Sequence, residues 1–258
     1  MRILVLVKDV PDTYGARALH LETGLAEREA GERVIDEIDE RALELALRHR
    51  DEHPGTEVVA LAMGPAAAAS SLRRALAMGA GRAVHVVDEA LLGADLGLTA
   101  ETLARAIDRI GAELVIAGDR STDGGGGVVP AMIAEHLGIA QLTGLDSVEI
   151  GDGRVDGVRA TEYGAVAAGA ELPAIVSVTE KLPDARLASF KGIMAAKKQT
   201  IETLDLAELG IDADDHASAR SIMIAVAPRP PRAAGVKIID EGDAGERLAE
   251  FLAAERLA

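Results

Sequence analysis

Four short stretches of this chain are almost unbroken runs of apolar residues: residues 3–7 (Ile-Leu-Val-Leu-Val), 57–62 (Glu-Val-Val-Ala-Leu-Ala), 83–87 (Ala-Val-His-Val-Val) and 113–117 (Glu-Leu-Val-Ile-Ala). A strand with one wet face alternates apolar and polar positions, whereas a continuous run of this length suits a strand buried on both faces, as in a parallel sheet covered by helices. Helical spacing fills the intervals. Ile35, Ile38, Ala42, Leu45 and Ala46 follow it, and Gly64-Pro65 opens a second helix through Leu72, Leu76 and Met78 that Gly79 ends. Leu103, Ala106, Ile107 and Ile110 repeat the period between a Thr99 cap and a Gly111 stop. This alternation predicts an α/β fold with a doubly wound, mostly parallel sheet.

Past residue 140 the rhythm changes. Residues 147–150, 154–159 and 174–178 read as strands joined by Gly-Asp turns, which predicts antiparallel additions extending the sheet. From Leu204 the sequence turns acidic and alanine-rich and reaches Pro228-Arg-Pro-Pro231, which fits neither a helix interior nor a central strand. The expected organisation is an α/β domain over residues 1–203 and an extended C-terminal arm over 204–258 that runs across another subunit.

With 48% hydrophobic residues the 258-residue chain can bury a full core. No apolar run approaches the roughly 20 residues of a membrane span, and the first eight residues are too short and too soon charged for a signal peptide, so a cytoplasmic location without membrane insertion is expected. The absence of cysteine removes thiol catalysis, disulfides and thiolate metal sites. A net charge of -16 opposes nucleic acid as a partner. Two Phe, two Tyr and no Trp leave little to stack on a flavin ring, so another chain is expected to supply most of any flavin pocket.

Three segments stand out as candidate sites. Residues 118–130 (Gly-Asp-Arg-Ser-Thr-Asp-Gly-Gly-Gly-Gly-Val-Val-Pro) follow a buried strand and lead into a helix through Ile133, Ala134 and Leu137, the strand-end position where open α/β sheets bind ligands. Its glycines let backbone N–H groups approach an anion, and placement favours a nucleotide phosphate over a plain connector, although Rossmann and Walker spacings are both absent. Residues 36–40 (Asp-Glu-Ile-Asp-Glu) open a helix, where capping is the first role of an Asp and a ribose or adenine contact the second. The third segment, residues 186–198, sets Phe190 among Arg186, Lys191, Lys197 and Lys198. A lone Phe is usually core, but an apolar anchor ringed by cations also suits an acidic partner surface. His49 and His53 lie one helical turn apart without the zincin pattern and read as solvated residues, and no nucleophile constellation is present.

Taken together, residues 5–12, 36–46, Met63-Gly64-Pro65, 76–80, 172–176 and above all 186–198 resemble the beta subunit of electron transfer flavoproteins over nearly the whole chain. The resemblance implies a heterodimer whose alpha subunit holds most of a redox FAD while this subunit buries a structural AMP. It also implies service to acyl-CoA dehydrogenase-type flavoproteins, as in fatty acid oxidation, with electrons delivered to a quinone oxidoreductase. On that resemblance the nucleotide contacts fall on Leu6, Asp36, Glu37, Ile38, Asp39, Met63, Gly118, Asp119, Arg120, Ser121, Thr122, Asp123, Gly124, Gly125, Gly126, Gly127, Val128 and Val129. The partner-binding set comprises Arg186, Phe190, Lys191, Ile193, Met194, Lys197 and Lys198. The chain departs from the family pattern in having Asp36 for Asn, residues 124–129 for most of the usual Asp, Thr and Gln side chains, Val166 for a Glu, and Lys191-Gly192 for Pro-Asn. Two rivals remain: a bifurcating relative with a second FAD that oxidises NADH, and a stand-alone adenine-nucleotide-binding protein.

Overall fold

The computed structural model describes residues 1–15, 18–28, 31–215, 221–232, 235, 237 and 239–257. They divide into two units, Met1–Ala225 and Val226–Ala258.

The first unit is built on seven parallel strands in the order β12-β5-β4-β1-β6-β11-β7. These are β1 (Arg2–Leu6), β4 (Glu57–Met63), β5 (Arg82–Val86), β6 (Leu114–Gly118), β7 (Ala140–Leu145), β11 (Ala174–Val178) and β12 (Glu202–Leu204). The doubly wound expectation holds, and β1 shows why its sequence is apolar throughout. Ile3 and Val5 face the helices α1 (Glu37–Glu52) and α2 (Ala69–Met78) through Ala42, Leu43, Leu47 and Leu72. Leu4 and Leu6 face the opposite layer, α3 (Leu96–Ile110) and α4 (Val129–Leu137), through Leu103, Ile107 and Ile133. Fully burying one such side chain contributes roughly 1.5–3 kcal/mol, so both faces of the strand are committed to the core.

Three local expectations are corrected. Asp95, not Thr99, caps α3: its carboxylate accepts from Leu98 N at 2.8 Å, which starts the helix a turn earlier. Ile35 lies outside the first helix, in β3 (Arg33–Ile35), an antiparallel partner of β2 (Asp9–Pro11), and Asp36 caps α1 behind it. The antiparallel strands do not extend the main sheet. β8 (Ser147–Ile150), β9 (Arg154–Thr161) and β10 (Gly164–Glu171) make a separate three-stranded sheet, while residues 174–178 insert as β11 in parallel between β6 and β7.

Beyond residue 203 the chain first adds to this unit. β12 pairs with β5, and Leu204 together with Leu206 and Leu209 of α6 (Leu206–Leu209) is buried in the layer that holds α3. The short helix α5 (Phe190–Ala196) packs beside α2. In the second unit, α7 (Ala244–Ala254) has an apolar row with Leu248 and Phe251 exposed and no buried residue. Among the described residues no helix is long and apolar enough to cross a membrane.

Candidate functional site

From β1 the chain winds to β4 on one side, while β6 sits on β1's other side. The carboxyl ends of β1 and β6 therefore border the topological switch point, where open α/β sheets leave a crevice. Into it run Leu6 at the end of β1 and Lys8 just beyond it, the start of α1, Met63 at the end of β4, and the loop after β6. A carboxylate bridges the two strand ends: Asp39 accepts from Lys8 N at 2.8 Å and from Gly118 N at 2.9 Å. A side chain at position 118 would be excluded, since its Cβ would lie 2.5 Å from Asp39 Oδ1. Burial, reinforced by the neighbouring Asp36 carboxylate, pushes the Asp39 carboxyl up to about 7 against the opposing pull of those N–H groups and the Lys8 charge.

Asp36 performs the expected cap and a second task. One oxygen accepts from Ile38 N at 3.2 Å, and the other accepts from Thr122 N at 2.6 Å and Thr122 Oγ1 at 2.9 Å, strapping the loop after β6 to the start of α1. Beyond that strap, Asp123 receives Lys8 Nζ at 2.7 Å and Arg28 Nη2 at 2.9 Å. Burial of Asp123 works against its ionisation, yet the hydrogen bonds and charges of Lys8 and Arg28 outweigh it and hold this carboxyl well below the usual range. Among the described residues, Arg120 donates to its neighbour Asp119 alone.

The glycine run has a definite shape. Gly124 N donates to Ser121 Oγ and Asp123 Oδ1, and Gly125 N donates to Ser121 O, so the first half of the loop is closed on itself. Gly125 and Gly127 have φ of 63° and 66°, values that side chains disfavour. The N–H groups of Gly126, Gly127 and Val128 have no acceptor among the described residues, and α4 begins at Val129 without a side-chain cap. Alternating left-handed residues followed by an uncapped helix end make a concave set of donors suited to an anion. A cleft of 340 Å³ opens beside the strap, lined by Thr122, Glu37, Arg33, Ser70 and Arg74 among others.

The nucleotide-type residues are thus brought together, and the segment at residues 186–198 is elsewhere, against the flanks of α1 and α2. Arg186, read from sequence as a docking cation, is committed inside the chain: its guanidinium donates to both oxygens of Glu44 and to Asp51, while Arg73 donates to the carbonyls of Ala196 and Gln199 at the far end. Gly192 lets α5 approach α2, since a Cβ there would lie 2.2 Å from Ala77 O. Phe190 is not core: it is 80% exposed, and Leu187, Ile193, Met194, Lys191, Lys197 and Lys198 are exposed around it. Sequence reasoning missed Lys8 and Arg28 at the crevice. A lysine directly after a doubly buried strand was the available signal for Lys8, whereas Arg28 had none.

Fold and crevice define a doubly wound α/β protein with a glycine-rich loop of backbone donors at its switch point and a separate apolar, cation-rimmed patch. Comparison with known proteins carries this further. Residues 24–209 match the electron transfer flavoprotein domain. The chain is 46% identical to the electron transfer flavoprotein subunit beta of Mycobacterium bovis over 99% of its own length and 98% of that protein, with the same values for Mycobacterium leprae. It is also 37% identical, over 82% of this chain and 80% of the other, to a protein of Acetobacterium woodii named caffeyl-CoA reductase-Etf complex subunit CarD. The chain belongs to the electron transfer flavoprotein family, among its beta subunits.

Proposed function

We propose that this chain is the beta subunit of a heterodimeric electron transfer flavoprotein that binds AMP structurally at the switch point and presents the Phe190 patch to dehydrogenase partners. The observation that carries the nucleotide is the donor set of Gly126, Gly127 and Val128, in the loop that follows β6 at the switch point, with no acceptor of its own among the described residues. These N–H groups would meet the phosphate, the backbone of residues 36–39 and Met63 would border the adenine, and Leu6 would pack against it.

FAD fits this chain only at its margin. Tyr14 and Tyr163 are almost fully exposed, Phe190 lies on the outer patch, and none of them lines the crevice, so the alpha subunit would hold most of the flavin. When bound, FAD supplies the one-electron chemistry by which reduced acyl-CoA dehydrogenase-type flavoproteins are linked to a quinone oxidoreductase. This chain's residues would contribute by binding and orientation. The C-terminal arm would pack on the alpha subunit. Leu204, Leu206 and Leu209 serve this chain's own core, so the arm offered to a partner is the stretch beyond Ala225, with Leu248 and Phe251 as its apolar row.

Phe190 stands at the centre of the patch, and an exposed aromatic among Leu187, Ile193 and Met194 is the composition of a binding hot spot. Phe190→Ala is expected to weaken electron transfer from a dehydrogenase by about 10-fold or more, the equivalent of roughly 1.4 kcal/mol or more of docking energy, with heterodimer assembly intact. Unchanged transfer would refute the anchor role. The similarity to CarD keeps the bifurcating reading in view, and two flavins per heterodimer in the visible spectrum would establish it.

A further inference from the structure

We propose that Lys8 and Arg28 are the side chains that neutralise the phosphate of the bound nucleotide, with Asp123 holding both cations ready for it. The inference rests on the nucleotide reading above and adds the residues that would carry its charge recognition.

Three observations converge. First, Lys8 Nζ donates to Ser121 Oγ at 3.0 Å and Asp123 Oδ1 at 2.7 Å, and would lie 3.5 Å from a Cβ placed on Gly124, so its ammonium rests against the glycine run itself. Arg28 comes from the connection between β2 and β3 and places Nη2 and Nε on Asp123 Oδ2 at 2.9 and 3.2 Å. Second, accessibility is unequal. The Asp123 side chain is 6% exposed, while those of Lys8 and Arg28 are 39% and 35% exposed, so an incoming group meets the cations and not the acid. Third, two cations converge on the one carboxylate of Asp123, each within 2.9 Å of it, on a chain whose net charge is -16. A phosphate monoester, with two negative charges near neutrality, is matched to such charge-assisted N–H donors.

Asp123 also keeps the arrangement constant with pH, since its carboxyl stays ionised throughout the physiological range. The two cations are then oriented before the ligand arrives, which lowers the cost of binding.

The test compares AMP with adenosine, which differ only by the phosphate. Purified heterodimer is depleted of nucleotide and titrated calorimetrically with each, for the wild type, Lys8→Gln, Arg28→Gln and Lys8→Arg, with melting temperatures checked. The expected result is a loss of AMP affinity of about 10-fold or more in each Gln variant, adenosine affinity within about twofold of wild type, and substantial recovery in Lys8→Arg. Arg28 lies outside the sheet, so its variant keeps the test valid should Lys8→Gln fail to fold. Parallel losses for AMP and adenosine, or AMP affinity unchanged in both Gln variants, would overturn the inference and leave the nucleotide reading standing. Wild-type protein that binds neither compound would overturn both.

Discussion

Asp39 offers the sharpest physical test of the switch-point geometry. Its carboxyl is raised from 3.8 to about 7. Between those values the folded state keeps a proton that the unfolded chain has lost, so this group's contribution to stability falls as pH rises from about 4 to about 7 and is level above. Three pKa units correspond to about 4 kcal/mol in all, of which about 2 kcal/mol falls between pH 5.5 and 8.5. Asp39→Asn keeps the shape and removes the titration. Its amide can accept from Lys8 N or Gly118 N but turns an NH₂ toward the other, a pH-independent cost of about 1–3 kcal/mol. Asp39→Asn should therefore be clearly destabilising at pH 5.5, with the deficit shrinking by about 2 kcal/mol at pH 8.5. That corresponds to about 4–8 °C in the difference of melting temperatures for a domain of this size. Denaturation of both proteins across that range is the assay, and the other titrating groups cancel in the comparison. A difference that stays constant with pH would mean that Asp39 is ionised throughout, and the argument from burial and Asp36 would be wrong.

Other perturbations test the strap, the packing of α5 on α2 and the Arg186 contact. Asp36→Ala removes the α1 cap and the Thr122 strap together and should cost about 2–3 kcal/mol, read as a lower denaturation midpoint; a change below about 0.5 kcal/mol would show the strap to be idle. Gly192→Ala forces α5 off the Ala77 carbonyl, at about 1–3 kcal/mol of overpacking, and should raise KM for the dehydrogenase partner while nucleotide content stays constant. Arg186→Ala leaves the largely buried Glu44 carboxylate unpaired and should lower stability by about 2 kcal/mol, with Arg186→Lys restoring only part because the two-pronged contact is lost.

The parallel strands were legible because burial on both faces writes itself into each residue of β1, β4, β5 and β6. The strands that escaped reading lack that signature: β7 (Ala-Gln-Leu-Thr-Gly-Leu) and β10 (Gly-Ala-Val-Ala-Ala-Gly-Ala-Glu) are small, polar or exposed, and β2, β3 and β12 are three residues each. Asp95 was overlooked as a cap because Leu96-Gly97-Leu98 hides the first turn of α3 from a periodicity centred on Leu103. At the site, the loop after β6 was readable from its place at a strand end, but its fastenings were not. Lys8 and Asp123 are 115 positions apart, and Asp36 and Thr122 are 86 apart; no local pattern pairs them, and only closure of the sheet does. The same holds for Arg186, whose flanking lysines suggested a docking role while Glu44 and Asp51, on α1, had already claimed it.

The central claim is that a nucleotide without a flavin ring sits at the switch point of this chain while the partner subunit holds the FAD. The direct measurement is to co-express the chain with its alpha subunit, denature the purified heterodimer and quantify the released nucleotides by chromatography and mass. The account predicts one AMP and one FAD per heterodimer. Two FAD and no AMP would contradict it in favour of the bifurcating enzyme, and FAD alone would mean that the donors of Gly126, Gly127 and Val128 hold no nucleotide.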